Sequence, residues 1–127
     1  MEQRPLVATC YDHLGGILGE RLTRRLVEIG WVTPEPNPGV TPTGWTGFAE
    51  LGLDLGPLTG GRRKPVAFCG ERWGGQMLDH IGAHLGFLLQ QHFVKSGWLT
   101  RSGDSYELTP SGEQVLRRLG VTLEEDT

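Results

Sequence analysis

The chain has 127 residues, enough for one domain with its own core, and it carries 20 Gly, 8 Pro and a formal net charge of −3. That charge argues against a chain that coats nucleic acid, and no apolar run reaches the roughly 20 residues that a membrane helix needs. The N-terminal "MEQRPLVATC" lacks the basic-then-apolar order of a secretory signal, so a cytoplasmic protein without a membrane partner is expected, its two cysteines, Cys10 and Cys69, being thiols.

Leu14, Leu18, Leu22, Leu26 and Ile29 keep helical spacing and predict a first helix, which Gly30 ends. A β segment starts at "GWVT" (30–33), and "PEPNPG" (34–39) predicts an irregular hairpin. "TPTG" (41–44) opens a further helix with Thr as N-cap and Pro at the first position. "GPLTGGRRKP" (56–65) has the composition of a linker. The series then recurs. Ile81, Leu85, Leu89 and Phe93 predict a helix ended by Gly97, "GWLTRSGDSYELT" (97–109) reads as a hairpin around Ser-Gly-Asp, and "TPSG" (109–112) opens a last helix through "EQVLRRLG".

Shifted by 67 residues, "DHLGGILGERLTRRLVEIGWVT" (12–33) lies over "DHIGAHLGFLLQQHFVKSGWLT" (79–100). Asp12/Asp79, His13/His80, Gly15/Gly82, Gly19/Gly86 and Trp31/Trp98 are among the identities, and the two cysteines correspond more loosely. The expected fold is α+β: two tandem winged-helix-like repeats (long helix, β-hairpin, helix) about a pseudo-twofold axis. Repeat 1 covers 4–55, a linker 56–65, repeat 2 66–123 and an acidic tail 124–127, all in one domain. Gly15, Gly19, Gly82 and Gly86 fall on the apolar faces of the long helices. Each glycine costs a helix about 1 kcal/mol relative to alanine, so the two helices are expected to cross there.

"RPLVATCYDHLGGILGERL" resembles a stretch of bacterial ArsR-type helix-turn-helix transcriptional regulators, and "CGERWGGQMLDHIGAHLG" and "GWL…YELTPSG" resemble their later blocks. The resemblance spans about residues 4–120. Glu71 and Trp73 are separated by Arg72, where the family pattern sets acid and Trp side by side. In that family these blocks follow an N-terminal DNA-binding winged helix, and this chain starts where that domain would end. The resemblance therefore implies an effector-sensing or dimerisation region, with a homodimer and a small-molecule or metal effector as partners. DNA is a partner only where a DNA-binding half is present or the wing is functional.

Thiolate and imidazole are ligands for zinc or another thiophilic metal. Cys10 and His13, three apart, would share a helical face; Cys69 and His80 are their counterparts, with His84 one turn beyond. The other reading makes both cysteines small core residues and fixes each histidine by a hydrogen bond, with Asp12 or Asp79 close by. A small-molecule pocket would draw walls from Trp45 and Trp73, which have no repeat partners, and from Tyr11 and Phe87. Trp31 and Trp98, repeating in step with the fold, are expected to anchor the hairpins. Arg21, Arg24, Arg25, "GRRK" (61–64), Arg117 and Arg118 are scattered, and no helix-turn-helix precedes the wing. No phosphate loop, serine elbow or paired-carboxylate motif proposes an enzyme. A stand-alone small-molecule or metal-binding module and a winged-helix-like DNA-binding protein remain the alternatives.

Overall fold

The structure, a computed structural model, describes residues 5–10, 12–60, 62–73, 75–103 and 105–123, the side chains at 9, 10, 71, 73 and 76 lying outside the described set. In chain order the elements are β1 (Ala8–Cys10), β2 (His13–Gly15), α1 (Gly16–Glu28), β3 (Val32–Thr33), β4 (Gly39–Val40) and α2 (Pro42–Glu50). A 3-10 turn (Gly56–Leu58) leads to β5 (Ala67–Trp73), β6 (Gln76–Gly82), α3 (Ala83–Lys95), β7 (Leu99–Ser102), β8 (Ser105–Leu108) and α4 (Pro110–Leu119). The order hairpin, helix, hairpin, helix thus occurs twice, and every sheet is a two-stranded antiparallel pair.

Each half opens with a hairpin that helical periodicity did not announce. Leu14 and Ile81 sit on strands, and the long helices begin at Gly16 and Ala83. Extended Gly15 and Gly82 precede residues with φ of +72° (Gly16) and +56° (Ala83), which swing the chain from strand into helix. The start of each helix is then tied to the segment ahead of the hairpin. Ile17 and Leu18 donate to the carbonyls of Pro5 and Leu6 (3.0 and 2.8 Å). His84 and Leu85 donate in the same way to those of Lys64 and Pro65 (3.1 and 2.8 Å).

The later elements follow their sequence signals. Gly30 and Gly97 take positive φ just beyond the long helices. Thr41 and Thr109 cap α2 and α4, accepting from the Gly44 and Gly112 amides at 2.9 and 3.1 Å. β7 and β8 form a regular hairpin, Leu99↔Leu108 to Ser102↔Ser105, whereas β3 and β4 hold only two residue pairs around the proline-rich segment. Trp31 meets Phe48 edge-on at 5.0 Å and Trp98 meets Phe93 at 5.1 Å, so each tryptophan fastens its hairpin to the core.

One apolar cluster runs through both halves, with Leu18, Leu26, Val32, Phe48, Leu85, Leu99 and Leu116 among its most buried members. The halves also exchange a buried hydrogen bond: the Ile81 amide on β6 donates to Thr23 Oγ1 on α1 at 2.8 Å. The glycines within the long helices do not mark a helix-on-helix crossing. A Cβ on Gly19 would strike the Leu14 carbonyl and reach His80 Cβ at 3.4 Å; one on Gly86 would lie 2.5 Å from the Ile81 oxygen and 2.9 Å from His13 Cβ. Each helix presents its glycine to the β-hairpin of the other half, because a strand lies closer to a helix axis than a second helix can. Both glycines border one void of about 10 Å³ with Thr23 and Ile81.

The two strand-to-helix corners are expected to answer oppositely to substitution. A Cβ at Gly16 would add left-handed strain and sit 2.7 Å from the Pro5 oxygen, so Gly16→Ala should cost more than about 1 kcal/mol. Ala83→Gly removes that strain and should be neutral or stabilising by up to about 1 kcal/mol. Urea unfolding of both variants checks this; a clearly destabilised Ala83→Gly would contradict it.

Candidate functional site

The first hairpin pairs Cys10 with His13, and the second pairs Cys69 with His80. The shared helical face expected for Cys10 and His13 is therefore replaced by a cross-strand pair, in which the cysteine of one strand stands opposite the histidine of the next. The seven-residue strands β5 and β6 extend this ladder to Trp73↔Gln76, whereas the first hairpin closes just past Cys10↔His13. That extension accounts for the looser correspondence of the cysteines. The strands before the turns are offset by 59 residues (Cys10 to Cys69) and those after by 67 (His13 to His80).

The two hairpins bring His13 and His80 together, with ring centroids 5.0 Å apart and planes inclined by 42°. Both are buried, at 6% and 1% exposure. Cys69 is half-buried, and the ligand atoms of His13, Cys69 and His80 all lie within 4.8 Å of one another. Gly82 lies against the cluster: a Cβ there would make ordinary van der Waals contact with the His13 imidazole at 3.4 Å and with Cys69 Cβ at 3.5 Å.

Arg63, from the segment joining the halves, orients His13 through Asp12. Its Nη2 donates to Asp12 Oδ1 at 3.1 Å and lies 3.0 Å from Oδ2 in an ion pair, and its guanidinium lies 5.6 Å from the Phe87 ring centroid. Burial works against ionisation of Asp12, yet the hydrogen bonds from Arg63 and His13 and the Arg63 charge outweigh it, so its pKa lies below the ordinary value. An ionised carboxylate only accepts, so His13 Nδ1, 3.4 Å from Asp12 Oδ1, carries the proton. In the neutral ring the lone pair is then on Nε2, which is buried and has no hydrogen-bond partner among the described residues.

The other residues singled out from the sequence fall elsewhere. Cys10 and Trp73 have their backbones in β1 and β5, and their side chains, like all of Tyr11, lie outside the described set. Trp45 is 39% exposed on α2. His84, on α3, lies beside Phe87 with ring centroids 6.5 Å apart and is not one of the three converging ligands. Asp79 is exposed, so only Asp12 of that pair braces a histidine among the described residues. Phe87 borders an open groove of about 440 Å³ with Asp12, Gln90, Val94 and Tyr106. The arginines of α1 are engaged within the fold. Arg25 Nε donates to the Leu119 carbonyl at 2.6 Å and Arg21 Nη1 to that of Thr122 at 3.2 Å, while Arg24 pairs with buried Glu20 at 2.7 Å. Sequence reasoning missed Arg63 as a brace; the repeated Asp-His signal pointed only to its partner.

No family model matches the chain, and no solved structure matches it. Over 94 residues the chain is 32% identical to the uncharacterized HTH-type transcriptional regulator YdfF of Bacillus subtilis (strain 168). The match takes in 73% of this chain, which spans 41% of the length of that relative. The likeness is thus to part of a longer helix-turn-helix type regulator.

Gly86→Ala tests how the site is built. Its Cβ would lie 2.9 Å from His13 Cβ and must push β2 off α3, so a loss of about 1–3 kcal/mol is expected, with displaced His13 imidazole resonances. Denaturation and ¹H–¹⁵N spectra of the histidine rings read both; unmoved His13 resonances would contradict the packing.

Proposed function

We propose that this chain is the effector-sensing and dimerisation region of an ArsR-like bacterial transcriptional regulator, acting in the cytoplasm as a homodimer. In this reading its halves are two winged-helix-like units about a pseudo-twofold axis, one over 4–55 and one over 66–123, each opening with a hairpin that carries its Cys–His pair. The observation that carries the reading is the 32% identity to a helix-turn-helix type regulator over 94 residues. That relative is described as a regulator rather than as an enzyme, and the regulatory role is transferred from it.

The internal geometry favours sensing over direct DNA contact by these residues. Of the three arginines of the first long helix, Arg25 and Arg21 are engaged by the carbonyls of Leu119 and Thr122, and Arg24 pairs with Glu20. The His13–Cys69–His80 cluster lies where the two halves meet, so a ligand there would act on their relative placement. That is the property an effector site needs: a differential contact with two arrangements of the same chain.

Two measurements test the reading. Sedimentation equilibrium of the chain should give twice its mass. Fused to a DNA-binding domain that holds its operator only as a dimer, the chain should restore repression in a reporter strain. A monomer that fails to restore repression would contradict the reading. Tight binding of the chain alone to duplex DNA, weakening steeply with salt, would favour the winged-helix DNA-binding alternative instead.

A further inference from the structure

We propose that His13, Cys69 and His80 form a binding site for a thiophilic divalent metal ion, zinc in the first place, that ties the two halves of the chain together. Binding stands on the cluster alone. Only its meaning as a signal rests on the regulatory reading above.

The donor set is the first argument. Two imidazoles and a thiolate suit zinc and its neighbours and are poor ligands for magnesium or calcium. Distance is the second. Zinc bonds of about 2.0–2.1 Å to nitrogen and 2.3 Å to sulfur place tetrahedral ligand atoms about 3.3–3.6 Å apart. Ligand atoms already within 4.8 Å of one another need to close by about an ångström, within reach of side-chain torsions.

The third argument is the state of His13. A buried ring nitrogen without a partner is costly unless something accepts its lone pair, and Nε2 is in that position among the described residues. Its other nitrogen donates to a carboxylate, which is the arrangement that fixes tautomer and direction in metal-bound histidines. Asp12 is itself fixed by Arg63, so the orientation is set before any ion arrives. Half-buried Cys69 leaves a route for entry, and its thiol proton would pass to solvent on binding.

The backbone register of the first hairpin repeats that of the second. Cys10 stands opposite His13 in β1 as Cys69 stands opposite His80 in β5.

Cobalt(II) is the probe. Titrated under reducing conditions into the 127-residue chain, it should give a thiolate-to-cobalt charge-transfer band and the intense visible bands of tetrahedral cobalt, both displaced by stoichiometric zinc. Cys69→Ser should remove at least half of the charge-transfer intensity. It should also weaken zinc binding by no less than the roughly 10–100-fold that loss of an outer-shell partner costs. Asp12→Asn, which leaves all ligands in place, should weaken zinc by about 10–100-fold while keeping the band. His92→Gln, outside the cluster, should change neither, and circular dichroism verifies the fold of each variant. No charge-transfer band in the unaltered chain overturns the proposal. So does a band that survives undiminished in folded Cys69→Ser and His13→Gln. Zinc that binds as expected yet leaves dimer mass and reporter repression unchanged supports the site and counts against its role as a signal.

Discussion

Two glycines and two histidines, exchanged between the halves of the chain, hold the architecture together. Gly19 on α1 faces the Leu14 carbonyl and the Cβ of His80, and Gly86 on α3 faces the Ile81 carbonyl and the Cβ of His13. Glycine inside a helix costs about 1 kcal/mol relative to alanine. Here the missing Cβ makes room for the strand just before the helix in its own half, Leu14 against Gly19 and Ile81 against Gly86, and at Gly86 also for His13 of the opposite half. The returns are visible around the contact: Leu14 and Ile81 enter the shared core, Thr23 accepts the Ile81 amide, and the two imidazoles are buried against each other. Because the exchange is reciprocal, neither hairpin can shift without disturbing the helix of the other half.

Charged residues brace this arrangement from outside. Arg63 reaches from the segment between the halves to Asp12, and Asp12 to His13, so a linker guanidinium orients a buried ring on the first hairpin. Arg25 reaches from α1 to Leu119, the last residue of α4, and Arg21 to Thr122 just beyond it, joining the first helix of one half to the second helix of the other. Arginine suits such work because its fork of donors stays charged and can satisfy carbonyls or carboxylates in fixed geometry. These contacts engage Arg21 and Arg25 of the basic run on α1 within the fold.

Periodicity and cap chemistry foretold the long helices, the Thr-Pro starts of α2 and α4, the regular β7–β8 hairpin and the irregular β3–β4 pair. The twofold recurrence of these elements was legible because Gly-Trp and Thr-Pro mark fixed corners. The hairpins β1–β2 and β5–β6 were not. "HLG" and "HIG" continue the helical spacing of the apolar residues after them, and only the positive φ at Gly16 and Ala83 separates strand from helix. That misreading carried into the site. Cys10, His13, Cys69 and His80 were marked for their chemistry, yet the reason for their proximity is cross-strand register, which a one-dimensional spacing of three cannot distinguish from a helical turn. The Arg63–Asp12 brace joins residues 51 positions apart and left no local signal.

The claim on which the account turns is that histidines from both hairpins and a cysteine converge on one point. Zinc K-edge X-ray absorption of the stoichiometric zinc complex tests it most directly. The account predicts a four-coordinate shell with imidazole scattering and sulfur at about 2.3 Å, its sulfur content falling in Cys69→Ser. A shell of light atoms alone, without sulfur or imidazole scattering, would contradict it.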